Sequence, residues 1–360
     1  MVLNILLKVV SKHQIKGKQR GMDKQMNKER SKTYIALNEK SLLFYKNYNN
    51  EFSYVNCPFC SNKTSKDCYE IDNYKVVQCN SCLSYFINPR PAPDLVDIYF
   101  KEYYQDPFCE LRSNERETYD FKKRYIGQAN SICGYIKSFL PEAKKLSILD
   151  IGCSCGYTLQ CIKEVIKDVE CELIGIDLHI PKTDNTTDVR LIETSIENYL
   201  QASDGQKFDV ILVIGVLEAM FDCCVFMKCV KKMLTKNGLI YITTPNINSI
   251  PMILNPNKFY SIRAHSLNPP YGVNAFNPTN MTIFARKYGL KIEKLSTPGK
   301  LDLEILRKCK IGDNTANEKL INNFVNIISK CSDKESELLQ KLINKLLISS
   351  HMEVILRNSG

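Results

Sequence analysis

From residue 146 onward, short apolar runs alternate with longer stretches whose apolar positions fall three and four apart. The runs Ser147–Ile151, Glu172–Ile176, Val189–Ile192, Val210–Ile214, Leu239–Thr243, Lys291–Leu295 and Met352–Leu356 each have the length of a strand. Strands that alternate with helices predict a mostly parallel sheet covered on both faces. The expected fold is therefore α/β, a doubly wound, Rossmann-like sheet of seven strands. Before the last run, Asn317–Ile328 and Glu335–Leu347 carry apolar residues at helical spacing, namely Leu320, Ile321, Phe324, Val325 and Ile328, then Leu338, Leu339, Leu342 and Leu346. These C-terminal helices, an insertion over 312–348, are expected to cover the sheet or a partner subunit.

The chain upstream divides differently. Residues 1–50 are basic and partly helix-forming but lack a clear apolar face, so they read as a solvated tail. Residues 51–95 hold ordered cysteines and end in Asn88-Pro89-Arg90-Pro91-Ala92-Pro93, a stiff linker. Residues 96–145 are rich in tyrosine and predict a helical lead-in, with one helix over Phe121–Leu140 stopped by Pro141. The domain proper then occupies 146–360.

Composition adds limits. The 360 residues are 44% hydrophobic and 24% charged, as in an ordinary globular protein, and no apolar run has the length of a membrane span. Met1–Val10 is apolar but short and is followed by no small-residue cleavage site, so a cytoplasmic protein is expected. That compartment is reducing, and the sixteen cysteines are not expected to form disulfides. Several of them (Cys153, Cys155, Cys171, Cys229) fall in core segments, where a thiol acts as a small hydrophobe. The net charge is +10, but residues 1–46 hold eleven Lys/Arg against three Asp/Glu. The rest of the chain is nearly neutral, which argues against nucleic acid as the partner of the folded part.

Two cysteine pairs stand out. Cys57 and Cys60 are two residues apart, as are Cys79 and Cys82, and eighteen residues separate the pairs. Four thiolates on two such knuckles make the closed tetrahedral shell of structural zinc, here a ribbon. A redox role is disfavoured because no thioredoxin-like βαβ surrounds either pair. Cys68, inside the loop, is a bystander. A closed shell gives the zinc a folding role and no catalytic one.

The first strand of the α/β pattern ends in Asp150-Ile151-Gly152-Cys153-Ser154-Cys155-Gly156, and a helix begins near Tyr157. Small residues in this turn let a ligand approach the backbone at the carboxyl end of a central strand. The second strand ends in Asp177, an acid suited to two ribose hydroxyls. Dinucleotide binders place their third glycine one position later. With Asp150 two places before the first glycine, the turn resembles the first motif of class I S-adenosylmethionine-dependent methyltransferases, although Ser154 stands where that family usually has glycine. The ribbon, the Asn-Pro-Arg-Pro linker, Tyr103-Tyr104 and the late motifs Ser296–Asp302 and Ser349–Met352 are similar to a bacterial group of that class. Many of that group belong to surface-polysaccharide and small-molecule biosynthesis.

This resemblance implies S-adenosylmethionine as cofactor, held by Asp150, Gly152, Ser154, Gly156, Asp177, Leu178, Ser195, Ile196 and Ile214. In it, Ser195 meets the adenine amino group and Ile196 packs on the ring. The family's fourth strand is commonly followed by Leu-Glu-His. Here Leu217-Glu218 is followed by Ala219, so analogy supplies no base. Asn268-Pro269-Pro270-Tyr271 spells an amino-methyltransferase tetrapeptide, but it comes after the fifth strand and reads as a loop able to line the acceptor pocket.

A hydroxyl acceptor needs a base with a pKa near neutrality. Of the four histidines, His265 in the loop after the fifth strand ranks first and His351, at the start of the last strand, second. The expected activity is methyl transfer to a hydroxyl of a saccharide or other small molecule. One alternative is an RNA methyltransferase using ribbon and tail, since a ribosomal-RNA guanine methyltransferase family also begins with a zinc knuckle. Another is a non-catalytic binding protein of the same fold. Oligomeric state is left open.

Overall fold

A computed structural model describes residues 39–104, 119–180, 189–254, 267–300, 302–307 and 316–358. Two sheets are present. The smaller one joins β1 (Ser65–Ile71), β2 (Tyr74–Cys79), β3 (Tyr85–Ile87) and β9 (Asn274–Ala275) in that spatial order, all antiparallel. The larger one contains β4 (Lys145–Ile151), β5 (Glu170–Asp177), β6 (Arg190–Glu193), β7 (Phe208–Ile214), β8 (Leu234–Pro245), β10 (Leu290–Ser296) and β11 (His351–Asn358). Its order is β10-β11-β8-β7-β4-β5-β6, and only β11 runs against its neighbours. All seven expected runs are strands, and the expected doubly wound fold is the observed one.

Both faces of this sheet are buried, which is why its strands read as apolar runs and not as alternating ones. Leu149, Ile151, Ile211, Val213, Ile240 and Ile242 pack with Tyr199, Phe226, Met233 and Phe284 on one face. Ile148, Val210, Leu212, Leu239 and Tyr241 pack with Ile132, Ile136, Leu159 and Ile162 on the other. Each such side chain, fully buried, stabilises the fold by about 1.5–3 kcal/mol before entropy is counted. The helix Tyr119–Phe139 is the lead-in helix expected over Phe121–Leu140. The two C-terminal helices lie at Ala316–Ser329 and Asp333–Lys345. Among the described residues no helix is long and apolar enough to cross a membrane.

Two expected boundaries change. Residues 39–48 are not solvated tail but a helix, and Phe44 is fully buried with its ring edge-on to Tyr99 (5.2 Å between centroids) and Tyr103 (5.7 Å). The four consecutive residues Leu42-Leu43-Phe44-Tyr45 give no helical period. Residues 1–38 lie outside the described residues. The ribbon at 51–95 is likewise no separate module. Strand β9, from beyond β8, completes its sheet through Tyr85↔Ala275 and Phe86↔Asn274. Phe59 sits edge-on against Phe276 (4.7 Å) and Phe284 (5.7 Å), inside the same core as β4 and β7.

Candidate functional site

The turn after β4 is built by its glycines and by β5. Gly152 (φ 74°) and Gly156 (φ 73°) are left-handed, and Ser154 adopts φ 51° between them. A side chain at Gly152 would overlap Val216, and a Cβ at Gly156 would come within 2.9 Å of Leu191. The amides of Gly152 and Cys153 both donate to the Ile176 carbonyl, which ties the turn to the end of β5. Gly156 then caps the helix Tyr157–Val165.

Asp177, the last residue of β5, is oriented by two backbone donors. Ser154 N–H donates to Oδ2 at 2.7 Å and His179 N–H to Oδ1 at 3.1 Å. Each carboxylate oxygen keeps a second lone pair for a further donor, which is what a ribose diol supplies. Asp150, the penultimate residue of β4, is 2% exposed, and its Oδ1 has no hydrogen-bond partner. Burial, with the Asp177 charge adding, pushes its pKa up to about 8. A buried orphan acceptor beside a turn too tight for side chains fits a ligand that brings its own donors.

The remaining expected cofactor residues lie along the same edge. Leu178 follows Asp177 at the end of β5 and is 53% exposed. Ser195 caps the helix Ile196–Ala202 by accepting from Asn198 N–H, and the preceding Thr194 N–H donates to the Asp177 carbonyl. Ile196 is buried in the core, while Ile214 ends β7 half-buried. The structure thus places Asp150, Gly152, Ser154 and Gly156 along one turn and ties that turn to Asp177 through the Ser154 amide. Leu178, Ser195, Ile196 and Ile214 flank them.

The histidines divide. His265 lies outside the described residues. His351 is the first residue of β11, opposite Pro245, and therefore three strands away from β4. Desolvation by the surrounding chain, with the Arg124 charge, lowers its pKa although part of the residue faces solvent, so it is neutral at pH 7. A carboxyl that the sequence reasoning passed over stands closer. Glu218 lies in the single turn Leu217–Ala219 just past β7, half-buried, and desolvation raises its pKa to about 7. The signal for it in the sequence is the pair Leu217-Glu218 directly after the fourth strand of the α/β pattern.

A wall of aromatic rings stands over this edge. Phe100 is edge-on to Tyr271 (5.2 Å) and tilted against His179 (6.5 Å), and Tyr271 OH donates to the Gly215 carbonyl at 3.4 Å. Phe100 therefore bridges the end of β5 and the end of β7. Tyr271 closes the tetrapeptide read as a loop, and it does reach the site.

The four ribbon thiols gather as their spacing predicts. Their sulfurs all lie within 4.8 Å of one another, with Cys57, Cys79 and Cys82 buried and Cys60 partly so. The Cys57 thiol and the Ser84 hydroxyl hold Cys82 well below the usual thiol range, at about 5, and Cys57 is pushed up in return. Such a cluster readily gives up its protons to a soft divalent cation, and four sulfur donors without a fifth oxygen or water-facing ligand suit zinc. Cys68 is exposed on β1, away from the cluster.

A family model described as a methyltransferase domain matches residues 125–295, the span from the lead-in helix to β10. Residues 125–295 are thus similar to a methyltransferase domain and span most of the doubly wound sheet. The methyltransferase domain is 34% identical over 113 residues to a ubiquinone biosynthesis O-methyltransferase of Bartonella quintana, covering 29% of this chain and 42% of that protein. It is 32% identical over 136 residues to a tRNA U34 carboxymethyltransferase of Campylobacter jejuni, covering 35% and 45%. The matched stretch thus spans less than half of either curated relative. A solved structure similar to this methyltransferase is that of the plantazolicin methyltransferase BpumL with a monoazolic desmethylPZN analog and SAH, at 16% identity and TM-score 0.47 over 74% of this chain and 94% of that one.

Proposed function

We propose that the protein transfers a methyl group from S-adenosylmethionine to a hydroxyl of a small, non-phosphate-bearing molecule such as a saccharide or a ring compound. Asp177 would hold the ribose, Asp150 would face the donor's amino group, and Leu178 and Ile196 would flank the adenine. The observation that carries the acceptor class is the wall of Phe100, Tyr271 and His179, which joins the ends of β5 and β7. Flat aromatic faces suit rings and sugar C–H surfaces, whereas an RNA site would present Lys and Arg toward phosphates. The zinc ribbon is a folding element under this reading.

A tRNA substrate appears in the name of one relative, and the basic segment gives that second reading its only support. Residues 1–38 hold nine Lys/Arg and two Asp/Glu. The experiment is transfer of labelled methyl groups to total RNA and to a small-molecule extract, by the full chain and by a chain lacking 1–38. Label in the small-molecule fraction, unaffected by the deletion, is the expected result. Salt-sensitive label in RNA that disappears with the deletion would establish the rival.

For the cofactor, Asp177→Ala removes a carboxylate that can accept two hydroxyls. The expected loss is about 1.5–3 kcal/mol, or roughly 10- to 150-fold in affinity for S-adenosylhomocysteine. Calorimetry reads it directly, and an unchanged affinity would remove Asp177 from the site.

A further inference from the structure

Resting on that reading, we infer that Glu218 is the group that takes the proton from the acceptor hydroxyl. Three features of its placement carry this. First, Val216, two residues before it, fills the space above Gly152, so the Glu218 turn adjoins the cofactor turn. Second, the carboxylate is fixed in place by hydrogen bonds. Thr244 at the end of β8 donates its hydroxyl to Oε2 at 3.1 Å, while Oε1 stands over Gly215, 3.6 Å from where a Cβ would be. Third, Gly215 (φ 67°) has no side chain to cover Oε1, and its carbonyl accepts from Tyr271 of the aromatic wall. A carboxylate fixed in orientation, with one oxygen beside the glycine that Tyr271 of the wall is bonded to, is placed as a general base is.

The surrounding charges leave it free to act. Around this turn, the Thr244 hydroxyl from β8 donates to the carboxylate, Asn274 from β9 donates to the Leu217 and Met220 carbonyls, Tyr271 OH donates to the Gly215 carbonyl, and the Cys223 thiol of the following helix donates to the Leu217 carbonyl. Cys223 is pushed well above the usual thiol range by burial, with the Glu218 charge among the smaller causes, and stays neutral. Arg90 lies beyond Asn274, to whose side chain it donates at 3.2 Å. No cation is paired with Glu218 among the described residues, and desolvation keeps its pKa near 7, where a base is half ionised at working pH.

The step balances without a further reactant. The acceptor O–H proton passes to Glu218 Oε1, the acceptor oxygen bonds to the methyl carbon, and the carbon–sulfur bond breaks with its electron pair left on sulfur. The products are a methyl ether, S-adenosylhomocysteine and a protonated Glu218 that returns its proton to solvent.

The test compares wild type with Glu218→Gln and Glu218→Asp in the intact chain, using labelled S-adenosylmethionine and whichever cell fraction the wild type labels. Wild-type transfer is expected to rise with pH and level off above about 7, because the base works only when ionised. Glu218→Gln should lower the rate by about 100-fold or more and abolish that limb, with affinity for S-adenosylhomocysteine unchanged. Glu218→Asp should restore part of the rate and the limb. A Glu218→Gln rate within threefold of wild type, with the same pH limb, would overturn the assignment. Label appearing in RNA would instead overturn the acceptor class, so the two failures are distinct. Should neither fraction take label, carbon-13 NMR of glutamate-labelled protein decides. The resonance missing in Glu218→Gln should titrate near 7, and a midpoint near the ordinary glutamate value would overturn the assignment.

Discussion

Stripping zinc from the protein with a strong chelator is expected to unfold more than the ribbon. The four thiols hold together two knuckles whose hydrogen bonds alone are few. Without metal, the Cys82 thiolate would lose its partner charge and the knuckle at 57–60 its anchor. That knuckle is bound to the methyltransferase domain by Phe59 against Phe276 and Phe284, by Lys287 Nζ donating to the Phe59 carbonyl at 2.8 Å, and by Cys224 N–H donating to the Pro58 carbonyl at 3.2 Å. Tetrathiolate zinc sites in small peptides contribute about 10–16 kcal/mol of binding free energy, which becomes folding free energy. Even a fraction of this lowers the thermal midpoint by at least about 10 °C for a domain of this size. Purified protein should hold one zinc per chain, and Cys79→Ser should show the same lowered midpoint without chelator. Protein free of zinc, with an unfolding curve indifferent to both chelator and Cys79→Ser, would remove the metal from this account.

Replacing Asp302 is expected to cost nearly as much, far from the thiols. Asp302 is fully buried at the start of the helix Asp302–Arg307 and fastens three segments. Its Oδ2 accepts from the Ser349 hydroxyl and from Gln340 Nε2 (2.7 Å), and its Oδ1 accepts from Ser350 N–H at 2.7 Å. Ser350 leads directly into β11, and Gly299 crosses so close to Ser349 that a side chain there would overlap the hydroxyl. Asp302→Ala leaves three donors without their buried acceptor. Each such donor costs about 1–3 kcal/mol, so the total should be about 3–5 kcal/mol after relaxation. Urea unfolding measures it, and a midpoint equal to wild type would show that the donors find other partners. Asp302→Asn keeps the shape and one acceptor oxygen, and its loss should be smaller.

The seven strands were legible because a sheet buried on both faces leaves an uninterrupted apolar run in the sequence, and Val210–Ile214 or Leu239–Thr243 could be little else. The cofactor turn was legible for a similar local reason. Gly152, Ser154 and Gly156 are needed where the backbone turns left-handed, and Asp177 follows at a fixed distance because one helix and one strand intervene. The cysteine pairs were legible because metal ligands impose short, fixed spacings. The late motif ending in Asp302 was visible as a pattern, but nothing in it named Ser349 and Ser350 as the groups it binds.

Distance along the chain hid the rest. Phe44 was hidden because its partners Tyr99 and Tyr103 lie some fifty residues away, and one buried ring leaves no period. Strand β9 has two residues, too few for any pattern, yet it joins the ribbon to the methyltransferase domain. Glu218 was visible as a residue and not as a site, because its raised pKa comes from burial, which its hydrogen bonds, one of them from Thr244 on the next strand, only partly oppose. Local sequence therefore determined the strands, the turn and the thiol cluster, each of which is specified by neighbours within a few positions. Only the tertiary structure decided that ribbon and domain share one core and that Glu218 lies beside the cofactor turn, because those facts depend on contacts between segments that no local pattern encodes.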